Sequence, residues 1–383
     1  MQIDQTFLRD LVTMKDEVGV LSLYITVDPR EESSTRPAWD IRLRNELSAL
    51  REQVGAWPDK ERRGAVLDRL DALEPDLLEL TDAAESGIGR ALFAAVVEDD
   101  VRKIALQVPM ENSASLESTA YIRPLVTAMA MAAPAGFVVV SRDGLRLIDF
   151  RYGKAEDLEE ARFDLDTSDW RPMRGPGPGG GSQPSSTQVD RFEARIEDNY
   201  KRWLHGVAPE IPRQAKEMGW TDVLLIGDPR LTELLAPALH PMTTVQVDTI
   251  VDPMSAPEVA RHVADELEAT RGRRDAELVA RVMDAAKSGG KGALGLNQTL
   301  ALLNEGRVEH LVLDENGKWT GARGLDGYLY EATPQGMATV PEPDLGERMI
   351  EAVLDSGATV TILGEQAAAP LAPEGGVGAL LRW

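Results

Sequence analysis

The residues best suited to chemistry stand at the end of a glycine run. Arg174-Gly-Pro-Gly-Pro-Gly-Gly-Gly-Ser-Gln183 sets Gly175, Gly177, Gly179, Gly180 and Gly181 beside Pro176 and Pro178 and ends in Ser182 and Gln183. A glutamine amide is neither an acid nor a base at neutral pH. It can orient a water molecule and donate a hydrogen bond to a developing oxyanion, as can the backbone N–H groups beside it. Glycine lets other groups approach the backbone closely, and proline denies the run a place in a helix or ladder. Such a tip is useful for hydrolysis only where another molecule supplies the rest of the site. A flexible linker is the other reading of a Gly/Pro/Ser run. Against it, the flanks read as parts of one α/β unit, and a linker needs no particular amide.

The elements that must position this tip are legible on both sides. After it, the pattern is helical from Gln188 to about Met218, with Phe192, Ile196, Tyr200, Trp203 and Leu204 along one side as a core-facing stripe. Arg191, Arg195 and Arg202 are interleaved with Glu193, Glu197 and Asp198. That mixture reads as a network of i,i+4 pairs on a wet face, with phosphate binding as the alternative. Before the tip, Gly136–Ser141 and Leu145–Arg151 read as a hairpin around Arg142-Asp143-Gly144, and acidic residues from Glu156 to Asp169 form an irregular stretch leading to Trp170. Trp220–Gly227 is a buried strand, and Asp228-Pro229 opens a helix by an acidic cap and an early proline.

The rest of the chain supplies two more parts. In the first, residues 1–131, Val20–Val27 is a strand, Trp39–Val54 and Pro58–Leu73 are helices, and Arg90–Val97 with Val101–Val108 form a hairpin. In the third, residues 254–383, a long helical pattern covers Ala256–Lys287, Gly289-Gly-Lys-Gly292 separates it from a helix over Ala293–Asn304, and strands follow at His310–Leu313, Ala358–Leu363 and Gly375–Trp383 around a helix at Leu345–Leu354. Strands alternating with helices predict an α/β fold.

Composition narrows the function. A chain of 383 residues is too long for one ordinary core, so two or three domains are expected. Hydrophobic content of 43% with 27% charged residues is that of a soluble globular protein. Met1-Gln-Ile-Asp-Gln lacks the basic and apolar regions of a signal peptide, and no apolar run reaches membrane-spanning length. With no cysteine, disulfides and thiolate metal sites are excluded; the four histidines are scattered, so no metal site is expected. The net charge of −23 counts against extensive phosphate contact while leaving room for a local basic patch. No Gly-x-Ser-x-Gly elbow is present, no dinucleotide-binding glycine motif joins a strand to a helix, and the glycines at 289–292 lack the spacing of a phosphate loop.

In this order the stretches resemble the archaeal/eukaryotic peptide-chain release factor superfamily, which includes Pelota and bacterial relatives. The residues that carry the resemblance are Gly181-Ser182-Gln183 before the helix, Leu21-Ser-Leu-Tyr-Ile25, Gly292-Ala-Leu-Gly-Leu296, Ala301-Leu-Leu-Asn-Glu-Gly-Arg-Val308 and Gly375–Arg382. The resemblance implies a three-domain release-factor-like architecture: an N-terminal α/β domain over 1–131, a ribonuclease-H-like middle domain over 132–253 with the loop before its long helix, and an L7Ae-like C-terminal domain over 254–383. A Vms1-type peptidyl-tRNA hydrolase branch carries Gly-Ser-Gln where other members carry Gly-Gly-Gln.

The resemblance further implies a cytoplasmic protein that binds the ribosomal A site with its loop in the peptidyl-transferase centre. Gln183 would position the attacking water, with Gly181 and Ser182 letting the loop enter. The expected partners are the ribosome, peptidyl-tRNA, rRNA and a translational GTPase, with no cofactor, metal or membrane. Pro184-Ser-Ser follows Gln183 in place of basic residues, so RNA anchoring falls to Arg171, Arg174, Arg191 and Arg195. No Asn-Ile-Lys-Ser codon-reading motif is present, which points to codon-independent release on stalled ribosomes or large subunits. The alternatives are a non-catalytic hibernation or rescue factor occupying the A site, and a scaffold that has left the ribosome.

Overall fold

The computed structural model describes residues 5–31, 37–163 and 186–383, and it divides into two compact units, residues 1–132 with 272–383 and residues 133–271. Among the described residues, helices and strands are mixed in all three parts, as the alternating pattern predicts.

The first segment runs α1 (Gln5–Val12), β1 (Lys15–Thr26), α2 (Ala38–Gly55), α3 (Lys60–Ala72), α4 (Glu74–Thr81), β2 (Gly89–Ala95), β3 (Val101–Leu106), β4 (Ser113–Thr119) and α5 (Arg123–Met131). Its antiparallel sheet has the order β3-β2-β1-β4. Leu21, Leu23 and Ile25 of β1 face Trp39, Leu43, Leu50 and Leu70 of the helices. Val20, Ser22 and Tyr24 on the opposite face are equally buried, which is why β1 reads as a nearly continuous apolar run. The ladder is irregular between Lys15 and Val20. There the Asp16 carboxylate accepts the N–H groups of Val18 (2.8 Å) and Gly19 (3.1 Å) with one oxygen and those of Val97 (2.8 Å) and Glu98 (3.0 Å) with the other.

The middle unit contains β5 (Ala135–Ser141), β6 (Gly144–Arg151), β7 (Lys154–Arg162), α6 (Ser186–Val207), α7 (Glu210–Met218), β8 (Asp222–Gly227), α8 (Pro229–Leu235), β9 (Val245–Asp248), α9 (Ala256–His262) and the start of α10 (Ala264–Lys287). The sheet order is β7-β6-β5-β8-β9, antiparallel through β5-β6-β7 and parallel through β5-β8-β9. Strand alternation sorts its two cores. Ala135, Phe137 and Val139 pack with Val251, Val259 and Val263, while Val138 and Val140 pack with Tyr200, Leu204, Ile211 and Leu235. Close approach demands glycine at 136, where a Cβ would meet the Trp220 ring at 2.1 Å.

Two expectations change here. The acidic stretch expected to be irregular from Glu156 is β7 as far as Arg162, because an antiparallel ladder with β6, irregular only between Leu147 and Ile148, outweighs its poor strand propensity; an acidic composition suits a sheet edge, and residues 164–169 of the stretch lie outside the described residues. The helical patterns over 188–218 and 256–287 each divide in two, at Pro209 and at Val263.

The last segment adds β10 (Gly292–Leu294), α11 (Leu296–Asn304), β11 (Val308–Asp314), β12 (Gly321–Gly324), β13 (Leu329–Tyr330), β14 (Thr339–Glu342), α12 (Leu345–Asp355), β15 (Thr359–Leu363), α13 (Glu365–Ala368) and β16 (Val377–Leu381). Its main sheet has the order β10-β16-β11-β15, and a small sheet, β13-β12-β14, is inserted between β11 and α12. Gly289–Gly292 lead from α10 into β10, so a short strand stands where the sequence suggested a direct step to the next helix.

Within the first unit α12 docks the last segment onto the first. Arg348, 6% exposed, bridges Glu117 (2.8 Å), Glu342 (3.1 Å) and Glu351 (2.7 Å). Asp344 binds Arg123 (2.8 Å) and accepts the Tyr121 hydroxyl (3.0 Å).

Candidate functional site

Gly181, Ser182 and Gln183, together with Arg171 and Arg174, lie outside the described residues. Arg191 and Arg195 belong to the first half of α6, where the helix is described but these side chains are not. What the structure does place is Phe163, just before residues 164–185, and the helix α6 that begins just after them.

The near end is Phe163, directly after β7. Its N–H donates to the Asp143 carbonyl at 2.8 Å, tying it to the β5–β6 turn. Its ring packs edge-on against Tyr200 with centroids 5.1 Å apart and against Trp203 at 5.6 Å; Tyr200 and Trp203 are themselves 5.6 Å apart. Tyr200 is buried, and its hydroxyl donates to the Ser141 carbonyl at the end of β5. The far end is Ser186, the start of α6. At 1.5 Å of rise per residue, Ser186 lies roughly 21 Å along the helix from Tyr200. The connection therefore begins beside one part of α6 and returns to its N-terminus. Below the clamp the helix is fixed by Leu204, 1% exposed in the sheet-facing core.

Beside Phe163 lies a cleft of about 380 Å³ lined by Ser141, Asp143, Arg146, Arg162 and Asp252 over a floor of Val139 and Leu145. Burial, then the neighbouring Asp143, raises the carboxyl of Asp252 above the usual carboxylate range, against Arg146 and the Ser141 hydroxyl, which pull it down. Burial, then Asp252 and Asp143, holds the Tyr200 phenol protonated well past its ordinary range. Arg146 donates to the Met254 carbonyl at 2.6 Å and pairs with Asp157 of β7. The cleft is thus a polar seam closing the sheet end from which the connection leaves. Among the described residues no group of three or more His, Asp or Glu side chains is arranged to hold a metal ion, and none of the described helices is long and apolar enough to cross a membrane.

The sequence reading singled out Tyr200 and Trp203 as core residues, which they are, but missed their partner Phe163 and the seam of Asp143, Arg146, Arg162 and Asp252. The signal available was the single aromatic residue ending the β7 stretch; its pairing with a helix more than thirty residues later has no local mark.

The model of bacterial archaeo-eukaryotic release factor family 5 matches residues 134–265, which fall within the middle unit and include Gly181-Ser182-Gln183 and all four candidate arginines. Protein YocB of Bacillus subtilis (strain 168), described as uncharacterized, is 21% identical over 217 residues, 56% of this chain and 80% of its own length. Among solved structures, archaeal translation termination factor aRF1 is 17% identical, with all of this chain and 99% of that one covered, at a TM-score of 0.26. Archaeal Pelota, in a model of its ribosome-bound form with ABCE1, is 15% identical over 99% of this chain and 93% of its own, at a TM-score of 0.43. Dom34 of S. cerevisiae, described as a translation termination-like factor interacting with Hbs1, is 8% identical over 78% of this chain and 75% of its own, at a TM-score of 0.39. The resemblance to the release-factor superfamily read from the sequence is met by the family model in the middle unit.

Proposed function

We propose that the protein is a codon-independent release factor that hydrolyses the peptidyl-tRNA ester on stalled ribosomes or large subunits. The observation that carries the reading is the position of Gly181-Ser182-Gln183: inside the family-matched span, on the connection between β7 and α6. In this reading the middle unit, with β6 antiparallel to its neighbours in a β7-β6-β5-β8-β9 sheet, is a ribonuclease-H-like domain, and the last segment is L7Ae-like. Gln183 holds a water against the ester carbonyl. The water oxygen bonds to the carbonyl carbon, the bond from that carbon to the tRNA oxygen breaks, and a water proton ends on the tRNA hydroxyl. The amide and the backbone at Gly181 and Ser182 stabilise charge on the carbonyl oxygen without exchanging protons themselves. Arg171, Arg174, Arg191 and Arg195 meet RNA phosphates, and a translational GTPase delivers the protein in the cytoplasm.

A second reading, a non-catalytic factor occupying the A site, is favoured by Pro184-Ser185-Ser186 standing after the tip in place of basic residues. Peptide release from purified stalled ribosome–nascent chain complexes separates the two. Release by the parent protein supports the first reading; stable co-sedimentation with ribosomes and no release supports the second. Failure to bind any ribosomal particle at low salt rejects both.

A further inference from the structure

We infer that the cleft between α12 and the small inserted sheet of the first unit is a docking site for a basic segment of a partner protein, one that carries arginine or lysine beside an apolar side chain. The inference goes beyond the release reading and does not depend on it. It stands on described residues of the first unit alone.

The cleft holds about 520 Å³. One wall is a single face of α12, with Arg348, Glu351 and Asp355 at helical spacing. The β12–β13 turn contributes Asp326 and Tyr328, and the first segment contributes Lys15. The charges do not balance. Arg348 is engaged by Glu117, Glu342 and Glu351, and Arg323 by Glu342. With Lys15 these make three cations against five carboxylates once Asp326 and Asp355 are included. Asp326 and Asp355 are both exposed, and among the described residues neither is paired with a lysine or an arginine. Asp326 accepts the N–H of Tyr328 at 3.1 Å, which holds a carboxylate beside the residue that bears the ring. Apolar surface continues outward from the cleft. Leu329 pairs across from Arg323 and Arg323 across from Val340, so the three share one face of the small sheet. Leu329 is buried, whereas Val340 is 50% exposed, Tyr328 47% and Leu325, next to Asp326 on the turn, 84%. An exposed apolar edge of this kind marks a protein-interaction surface. A tyrosine ring beside unpaired carboxylates suits a guanidinium or ammonium group. The excess of carboxylates repels RNA phosphates, and the apolar edge offers nothing to a bare cation. A basic protein segment with an apolar residue satisfies both features.

The probe is a fluorescent synthetic peptide of alternating arginine and leucine, compared with one of alternating glutamate and leucine; anisotropy is read with the full chain. Asp326→Asn with Asp355→Asn removes the two unpaired charges and keeps the oxygen that holds the turn. Tyr328→Ala removes the ring. Glu217→Gln with Glu233→Gln, both exposed on the middle unit, changes the net charge equally and serves as the control. The expected result is binding of the arginine peptide and not of the glutamate peptide, with melting unchanged in every variant. Binding weakens about three- to tenfold in the double aspartate variant and about two- to fivefold in Tyr328→Ala, and is unchanged in the control. Bound peptide slows hydrogen exchange of the parent at residues 325–329 and 352–355. No binding of the arginine peptide overturns the inference, as does equal binding of the glutamate peptide. Equal weakening by the control pair also overturns it, since the attraction is then to an acidic chain as a whole. A single-stranded RNA oligonucleotide that protects the same residues overturns the assignment to a protein partner. Should a variant lose its melting transition, the exchange footprint on the parent decides: protection away from the cleft overturns the inference.

Discussion

The carboxylate of Glu347 on α12 accepts the backbone N–H of Arg123 at 2.8 Å with one oxygen and that of Ile122 at 2.7 Å with the other. Those amides open α5, whose own N-cap residue, Ile122, supplies no side-chain acceptor. A residue more than two hundred positions away therefore caps the helix, and the cap doubles as the contact that docks α12 onto the first segment.

Glu347→Ala removes both acceptors and leaves the two N–H groups without them, whereas Glu347→Gln stands in for the uncharged acid. Leaving a buried donor unsatisfied costs about 1–3 kcal/mol. Denaturant unfolding of the first unit is expected to shift by that amount, with faster hydrogen exchange at Ile122 and Arg123. The pH response follows from the same group. Burial and the nearby Glu351 push Glu347 up to about 8, against the two N–H groups and Arg348. With its folded value above the ordinary glutamate value, its contribution is full below that value and is lost as pH rises through about 8. Stability of the parent is expected to fall as pH rises from the ordinary glutamate range to about 8 and to level off above it, and the slope is expected to flatten in Glu347→Gln. Parallel curves for the two proteins would refute the assignment.

Arg348 stands between three carboxylates, those of Glu117, Glu342 and Glu351. Among the described residues Arg348→Met removes the cation that all three carboxylates share and leaves like charges together in a buried place. Breaking such a pair from one side costs about 3–5 kcal/mol. Acidification should restore part of the loss, because protonated carboxyls no longer repel. The check is the unfolding free energy of Arg348→Met at neutral pH and near pH 4; a loss that is the same at both would contradict the electrostatic account.

Asp16 pins the irregular start of β1 to the β2–β3 turn through four backbone N–H groups. Burial alone would raise its carboxyl; the four N–H donors outweigh burial and hold it below the usual aspartate range. The folded value being the lower one, the contribution is present above the ordinary aspartate value and disappears as pH falls through the folded value. Asp16→Ala is expected to destabilise the first unit by about 1–2 kcal/mol, the range of a lost capping carboxylate. Asp16→Asn should recover less than half, since its amide offers one oxygen for two pairs of donors. Unfolding curves near pH 7 and pH 3 test both statements.

Much of the fold was written in local patterns. The β5–β6 hairpin, β8 with its Asp228-Pro229 cap, α12 and β15 stand close to where periodicity and turn residues put them, because each is buried on a regular stripe. Asp228 does accept the Arg230 N–H at 2.9 Å. β4 and β7 escaped notice: Ser-Ala-Ser-Leu-Glu-Ser-Thr and Lys-Ala-Glu-Asp-Leu-Glu-Glu-Ala-Arg are strands by virtue of the ladder beside them. The short strands β12 to β14 carry too few residues to show a period. As for the site, composition marked the glycine-rich connection at once. The clamp of Phe163, Tyr200 and Trp203 depends on a contact between distant positions that no spacing announces.

The central claim is that one amide on this connection promotes ester hydrolysis in surroundings supplied by RNA. Single-turnover release of nascent peptide from stalled ribosome complexes, at saturating protein, compares the parent with Gln183→Ala. The account predicts that Gln183→Ala binds ribosomes with the parent's affinity while release slows by about a hundredfold, the scale of losing one preorganised oxyanion donor. Release by Gln183→Ala at the parent's rate would contradict it.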